Sequence, residues 1–338
     1  MDTVCPVPLP FVMPPSVMPP SVMPLSVMPL SVMLPEITPL PAEKLWFPIE
    51  TGPYRMAMGL VTVPAAAWFE IDALYPAEMA ERRRLLAEHH AEVFAAEPAS
   101  APARAETLAM VLDHLTTAHP DWFGREGATV HCRLTGDSWD SAAHDPLELA
   151  GRLVQEDLCL IEASPEGPRL TAAVLCFPSR WRLAEKIGRA LADVHGAVPF
   201  YADRLARPVD RFMGHVRPGH IAARLNWSVL GDPTLFQPAG KGRTARDGTI
   251  TADNAGGRLF LRVERQTLRR LPATSAVLFG IRVHVYPLAH AVTAPDTAAA
   301  LAAAVRALPS ETARYKSLPV FQAALLDWLD RRAVQAMP

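Results

Sequence analysis

In residues 259–266, and again in residues 277–286, apolar and polar side chains alternate one for one, the period of a strand with one face against a core. In the first run Leu259, Leu261 and Val263 share one face, and Arg262, Glu264 and Gln266 the other. In the second, Val277, Phe279, Ile281, Val283 and Val285 oppose Gly280, Arg282, His284 and Tyr286. Two adjacent strands of this kind are expected to present a joint polar face, to solvent or to a site. Residues 158–163 and 169–177 are apolar, strand-like runs separated by Pro165, Glu166 and Gly167, which predicts a hairpin, and residues 222–230 read as a further strand. Helical spacing recurs over 77–96, 106–119, 146–156 and 182–194, then over an alanine-rich segment 297–308 capped by Asp296 and an amphipathic segment 320–334. Strands cluster in the middle and C-terminal half, with helices before and after. The expected class is therefore α+β on a mainly antiparallel sheet, because nothing alternates regularly enough for a doubly wound fold.

Two segments stand outside that pattern. From Val12 the chain repeats VMPPS, VMPPS, VMPLS, VMPLS and a broken VMLP. Proline in each unit removes a backbone donor and fixes φ, so residues 1–41 are expected to be a disordered low-complexity extension, and residues 42–335 the folded domain. Residues 231–257 carry six of the eighteen glycines and read as a long, mobile surface loop. The GKGRTARDG stretch within it has the glycines and cations of a phosphate cradle but not the spacing of a P-loop.

Composition narrows the partners. The 338 residues are half hydrophobic and carry a formal charge of -2, leaving no basic excess to attract nucleic acid. No stretch approaches the roughly 18 uninterrupted apolar residues of a membrane span, and Asp2 near the start is unlike the positive region of a secretion signal. Cys5, Cys132, Cys159 and Cys176 are scattered with no CxxC pair, the pattern of reduced structural thiols in a cytoplasmic protein.

His195 is the residue with most chemical promise. Val198 and Pro199 must end the helix just beyond it, which places its imidazole on a rigid element at the edge of a pocket, where neutral imidazole can serve as an axial ligand to a planar iron cofactor. A histidine near a helix C-terminus is also a common cap that complements the helix dipole, and the residues alone leave both roles open.

The segments YRMAMGL (54–60), WFEID (68–72), QEDLCLIE (155–162), CFPSRWRLAEKIG (176–188), VHGAVPFY (194–201), RLNW (224–227), RVERQTLRRLP (262–272), SAVLFGIR (275–282) and YKSL (315–318) run in order from about Phe47 to Leu329. Taken together they resemble the haem-dependent oxidative N-demethylase family, the alpha subunit of dimethylamine monooxygenase. The resemblance implies a PAS-like, antiparallel haem-binding core with flanking helices. It also implies oxidation of a small methylated amine of the dimethylamine type with O2, release of formaldehyde, and electrons from a separate reductase. His195 is the position it assigns as proximal iron ligand. Where relatives usually read IHAPVP, Gly196 and Ala197 replace Ala and Pro here, while the imidazole and Pro199 are kept.

A haem oxygenation site needs donors that polarise O2 and a group that manages protons. Arg224 and Asn226 share one face of their strand and suit the first task; Glu264 suits an ammonium substrate or its proton. Arg262, Gln266 and Arg282 complete the expected polar face, although Arg262, Glu264 and Arg282 are equally compatible with cross-strand ion pairs. Trp181 and Trp227 read as core. No flavin, NAD or iron–sulfur signature is present, so an external reductase carrying NADPH, FMN and 2Fe-2S centres is implied, with tetrahydrofolate as formaldehyde acceptor in the complex and self-association as a family property. The rival readings are a haem-binding PAS-type gas or redox sensor without turnover, a thiolate-ligated haem enzyme using Cys159 or Cys176, a hydrolase built on Glu264, and an interaction protein that has lost haem.

Overall fold

The computed structural model describes residues 38–334. The pentapeptide repeat, expected to be disordered, lies outside the described residues. Residues 38–41, expected to share that disorder, are instead tied to the body. The Thr38 carbonyl accepts from Trp122 Nε1 at 2.8 Å and the Pro41 carbonyl from the Ala73 amide at 2.8 Å. Proline lacks a donor but keeps its acceptor, so a proline-rich segment can still dock through its carbonyls.

The strands are β1 (Val61–Val63), β2 (Phe94–Ala96), β3 (Phe123–Glu126), β4 (Thr129–Cys132), β5 (Asp137–Asp140), β6 (Asp157–Glu162), β7 (Arg169–Val174), β8 (Ile221–Leu230), β9 (Phe260–Arg270) and β10 (Val277–Pro287). Seven form one antiparallel sheet in the order β1-β8-β9-β10-β6-β7-β2, and β3, β4 and β5 form a small second sheet. The helices are α1 (Tyr75–Glu88), α2 (His90–Val93), α3 (Ala101–Ala118), α4 (Pro146–Gly151), α5 (Leu191–Val194), α6 (Tyr201–Arg204), α7 (Ala206–His215), α8 (Ala255–Arg258), α9 (Leu288–Ala291), α10 (Pro295–Ala307), α11 (Ser310–Tyr315) and α12 (Gln322–Val334). The class is α+β, and the β6–β7 hairpin lies where the Pro165–Gly167 turn predicts it.

The register of β9 against β10 decides the layout of the site. Arg270 faces Val277 across a six-residue connection, so even-numbered positions of β9 sit opposite odd-numbered positions of β10: Gln266 opposite Ile281, Glu264 opposite Val283, Arg262 opposite Val285. Directly opposed residues point to the same face. The two polar faces seen in the sequence therefore lie on opposite sides of the sheet, and the expectation that Arg282 joins Arg262, Glu264 and Gln266 is overturned. Each alternation was local and unambiguous. Their relative parity depends on how the connection closes, which alternation does not encode.

Helices cover both sides. On the Arg282 side, Met79 and Leu85 of α1 and Leu112 and Leu115 of α3 cluster with Leu158, Leu160 and Leu278, while Leu301, Val305, Leu325 and Leu329 of α10 and α12 cluster with Val229, Leu261 and Val263. On the Glu264 side a smaller cluster joins Leu191 of α5 and Met213 of α7 to Ile161, Leu268 and Val277. Each fully buried leucine contributes roughly 1.5–3 kcal/mol relative to exposure. The sheet is thus a rigid floor whose Glu264 side is only partly roofed by apolar packing.

Several helices are shorter than their periodicity predicts. The 182–194 segment is a 3₁₀ turn, Leu183–Glu185, followed by the four-residue α5. Between them the chain pairs with β7: the Gly188 amide donates to the Leu170 carbonyl at 2.7 Å, and the Leu170 amide to the Arg189 carbonyl at 3.0 Å. Gly188, at φ +77, makes the turn that brings this backbone to the strand. The 77–96 segment likewise ends in β2, and 146–156 stops at Gly151, where a Cβ would lie 2.4 Å from Val174 Cγ1. Among the described residues no helix is long and apolar enough to cross a membrane.

Candidate functional site

On the half-roofed face, Arg224 of β8 lies opposite Gln266 of β9, Asn226 opposite Glu264, and Ser228 opposite Arg262. Glu264 is the hub. Its Oε2 accepts from Asn226 Nδ2 at 3.2 Å and from Gln266 Nε2 at 2.8 Å, with Ser179 close by. Burial alone would raise this carboxyl, but Ser179, the Arg262 charge and the two amide donors outweigh it and hold the pKa below the ordinary carboxylate value. Glu264 is therefore an ionised carboxylate at neutral pH.

The two arginines beside it differ. Arg262 donates to Ser179 Oγ at 2.9 Å, to the Thr234 carbonyl at 3.1 Å, and to the Phe177 and Leu235 carbonyls at 2.8 and 3.1 Å. Its donors are engaged within the protein, so it braces the floor rather than reaching a bound group. Arg224 has no side-chain partner among the described residues, and its Nε is buried without a hydrogen bond. With no side-chain partner, this guanidinium has donors to offer a bound acceptor. Arg282, placed in the site by sequence, instead pairs on the far face with Asp72 at 2.8 Å and Glu78 at 2.7 Å.

His195 caps α5, whose Leu191 and Val194 pack on the same face of the sheet. Its Nδ1 lies 2.8 Å from the Leu191 carbonyl, which can only accept, so Nδ1 carries the proton. Burial, with Lys186, Lys241 and Arg224 nearby, lowers its pKa against the opposing effect of that hydrogen bond. The ring is then neutral, with the Nε2 lone pair free. Tyr201 stacks on it at 4.4 Å between centroids and 12° between planes, which fixes its orientation. His195 is among the residues lining a solvent-open cavity of about 240 Å³, with Gly196, Ala197, Val198, Pro199 and Phe200.

Sequence reasoning missed several neighbours. Lys316 donates to the Trp227 carbonyl at 2.5 Å, and burial beside Arg224 and Lys241 depresses its ammonium to about 8 despite Glu264. Lys241, in the loop expected to be mobile, donates to Tyr315 Oη at 2.8 Å; the Arg243 amide donates to Ser317 Oγ at 3.0 Å and the Asp247 amide to the Val320 carbonyl at 2.9 Å. The loop is thus pinned across YKSL, and the two segments converge on the site. The signal was present, since the lysine-bearing loop and YKSL were each visible, but only the fold joins them. Arg180, Phe200 and Ser317 have φ of 62, 63 and 59°, the left-handed region that costs non-glycine residues roughly 1–3 kcal/mol, and all three border the site.

Could these residues hold the planar iron group expected from the sequence? Among the described residues no three His, Cys, Asp or Glu side chains converge as metal ligands. Cys132, Cys159 and Cys176 are buried and free, and burial raises the thiols of Cys159 and Cys176, which keeps them protonated and unsuited to ligation. His195, with Nδ1 committed to the Leu191 carbonyl and Nε2 unpaired among the described residues, fits the role of an iron ligand, and Arg224, near it and without a side-chain partner, fits that of a donor to a bound acceptor. A family model described as haem-dependent oxidative N-demethylase, alpha subunit-like, matches residues 59–326.

Proposed function

The chain belongs to the haem-dependent oxidative N-demethylase, alpha subunit-like, family, and from that premise we propose that it removes a methyl group from a small amine, of the dimethylamine type, as a haem monooxygenase served by a separate reductase subunit. Haem held by His195 Nε2 would supply the O2 chemistry, in which an N-methyl group, O2, two electrons and two protons give the shorter amine, formaldehyde and water. The chain's own residues do the rest. Ionised Glu264 binds the substrate ammonium or takes its proton, Asn226 and Gln266 fix the carboxylate that does so, and Arg224 donates hydrogen bonds to oxygen at the reacting centre. A PAS-like core, a cytoplasmic setting, self-association and an NADPH, FMN and 2Fe-2S reductase with tetrahydrofolate as formaldehyde acceptor belong to the same reading.

The observation that carries it is an imidazole with its Nδ1 committed to Leu191, on the same sheet face as a carboxylate that accepts from two amide donors and is held below its ordinary pKa. The test is the absorption spectrum of the haem-supplemented protein in ferric, ferrous and ferrous-CO forms, beside His195→Ala. A Soret band that is lost or shifted in the variant is expected. No haem in either protein overturns the reading, and a histidine-ligated haem that turns over no amine with an added reductase turns it into a sensor.

A further inference from the structure

Positive charge gathers around His195, and among the described residues its carboxylate neighbours form no ion pairs with it. On the far face every buried guanidinium of the ion network has a carboxylate: Arg282 has Asp72 and Glu78, Arg265 has Glu70, and at the sheet end Arg82 has Asp157. Around the imidazole the pattern reverses. Lys186 donates to the Val194 carbonyl at 2.6 Å, Lys241 to the Tyr315 hydroxyl at 2.8 Å, and Arg180 reaches the Lys316 carbonyl at 3.4 Å. None of the three forms an ion pair among the described residues, and each rests on a neutral oxygen. Glu264, which acts on Lys241, already accepts from Asn226 and Gln266, and Glu185, Asp193 and Asp232 lie beside Lys186 and Arg180 without pairing with them.

Lys186 and Lys241 both lie near His195, Lys241 also lies near Lys316, and Arg180 lies near Lys241. Like charges brought together repel, and an anion entering among them would relieve that repulsion. Haem carries two carboxylate side arms on one edge.

We propose that Lys186, Lys241 and Arg180 form a clamp for the carboxylate side arms of the group that His195 holds, with Lys316 behind them as a further positive charge. This rests on the haem reading above and extends it to which residues grip the edge of the ring. The strained backbone at Arg180 aims its guanidinium toward Lys316 and Lys241, and the Lys241–Tyr315 and Arg243–Ser317 bonds hold the loop that carries Lys241 in place.

The test is a Soret titration of the full chain with haem and with its dimethyl ester, in which both carboxylates are masked, for wild type and for Lys241→Met combined with Arg180→Met. Wild type is expected to bind haem about 10- to 100-fold more tightly than the ester, the span of one or two charge-assisted hydrogen bonds. In the variant that preference collapses, while the Soret position stays put because His195 is untouched, and Lys241→Arg keeps the preference. Equal binding of haem and ester by wild type overturns the clamp without needing any variant, as does a variant that retains the preference. No haem uptake by wild type overturns the His195 reading itself, and the clamp with it, so the two failures are distinct.

Discussion

Arg282 shows how much one guanidinium depends on the side of the sheet it occupies. It is fully buried between Asp72 and Glu78, and its Nη1 also donates to the Val283 carbonyl at 2.7 Å. Removing one member of such a group leaves uncompensated charge in a dry place, at a cost of about 3–5 kcal/mol. Arg282→Met is therefore expected to lower unfolding stability by that amount in a denaturant titration, while the Soret band of the haem-loaded protein is unchanged. A shifted band with normal stability would return Arg282 to the site. The other candidates were readable for a simple reason: Arg224 and Asn226, and Arg262, Glu264 and Gln266, each alternate within one strand, and β8 pairs with β9 so that both sets meet. Arg282 was misread because its face depends on the closure of a connection between strands, information that no single strand holds.

At the scale of elements, the segment carrying His195 was legible in its end and not in its body. Val198 and Pro199 mark where the turn must come, and His195 does cap α5 there. The helix expected before it is replaced by pairing with β7, a tertiary choice that overrides local periodicity. The two descriptions disagree about Gly188. In a helix interior, Gly188→Ala would stabilise by about 0.5–1 kcal/mol. At φ +77, with a new Cβ lying 3.0 Å from Glu97 Oε1, the same change is expected to destabilise by roughly 1–2 kcal/mol and to weaken haem binding by disturbing α5. Thermal unfolding of the variant settles the sign. YKSL and the glycine-rich loop teach the same lesson, since neither segment contains the hydrogen bonds that join them.

Over the whole molecule, the chain entering the fold is fastened by a histidine. His284 Nδ1 lies 3.1 Å from Glu43 Oε1 and Nε2 lies 3.0 Å from Glu70 Oε2, so both nitrogens face acceptors and the ring is held as an imidazolium. Burial and Arg282 lower its pKa, but hydrogen bonds to Glu43 and Glu70 raise it further, and the net shift is upward. Tyr286 completes the fastening, donating to the Lys44 carbonyl at 2.6 Å and accepting from the Trp46 amide at 3.2 Å. A raised histidine pKa stabilises fully below the unfolded value of about 6.5, and that stabilisation is lost as pH rises through the folded value. Amide exchange at residues 43–47, corrected for intrinsic rate, is expected to be slower at pH 6 than at pH 9; equal protection at both would mean that Tyr286 and Trp46 hold the segment without the charge.

The antiphase register of β9 and β10 also bears on how this chain can change over generations. Substitutions on the Glu264 side can retune the amine it accepts while the Arg282 side keeps the fold intact, because the two sets of residues interleave without sharing a surface. A gain or loss of one residue within β9 would turn Glu264 toward the leucines, and one within β10 would turn Arg282 away from Asp72 and Glu78. Descendants of this chain are therefore free to drift by replacement in the two strands, and length variation is confined to the connections between them.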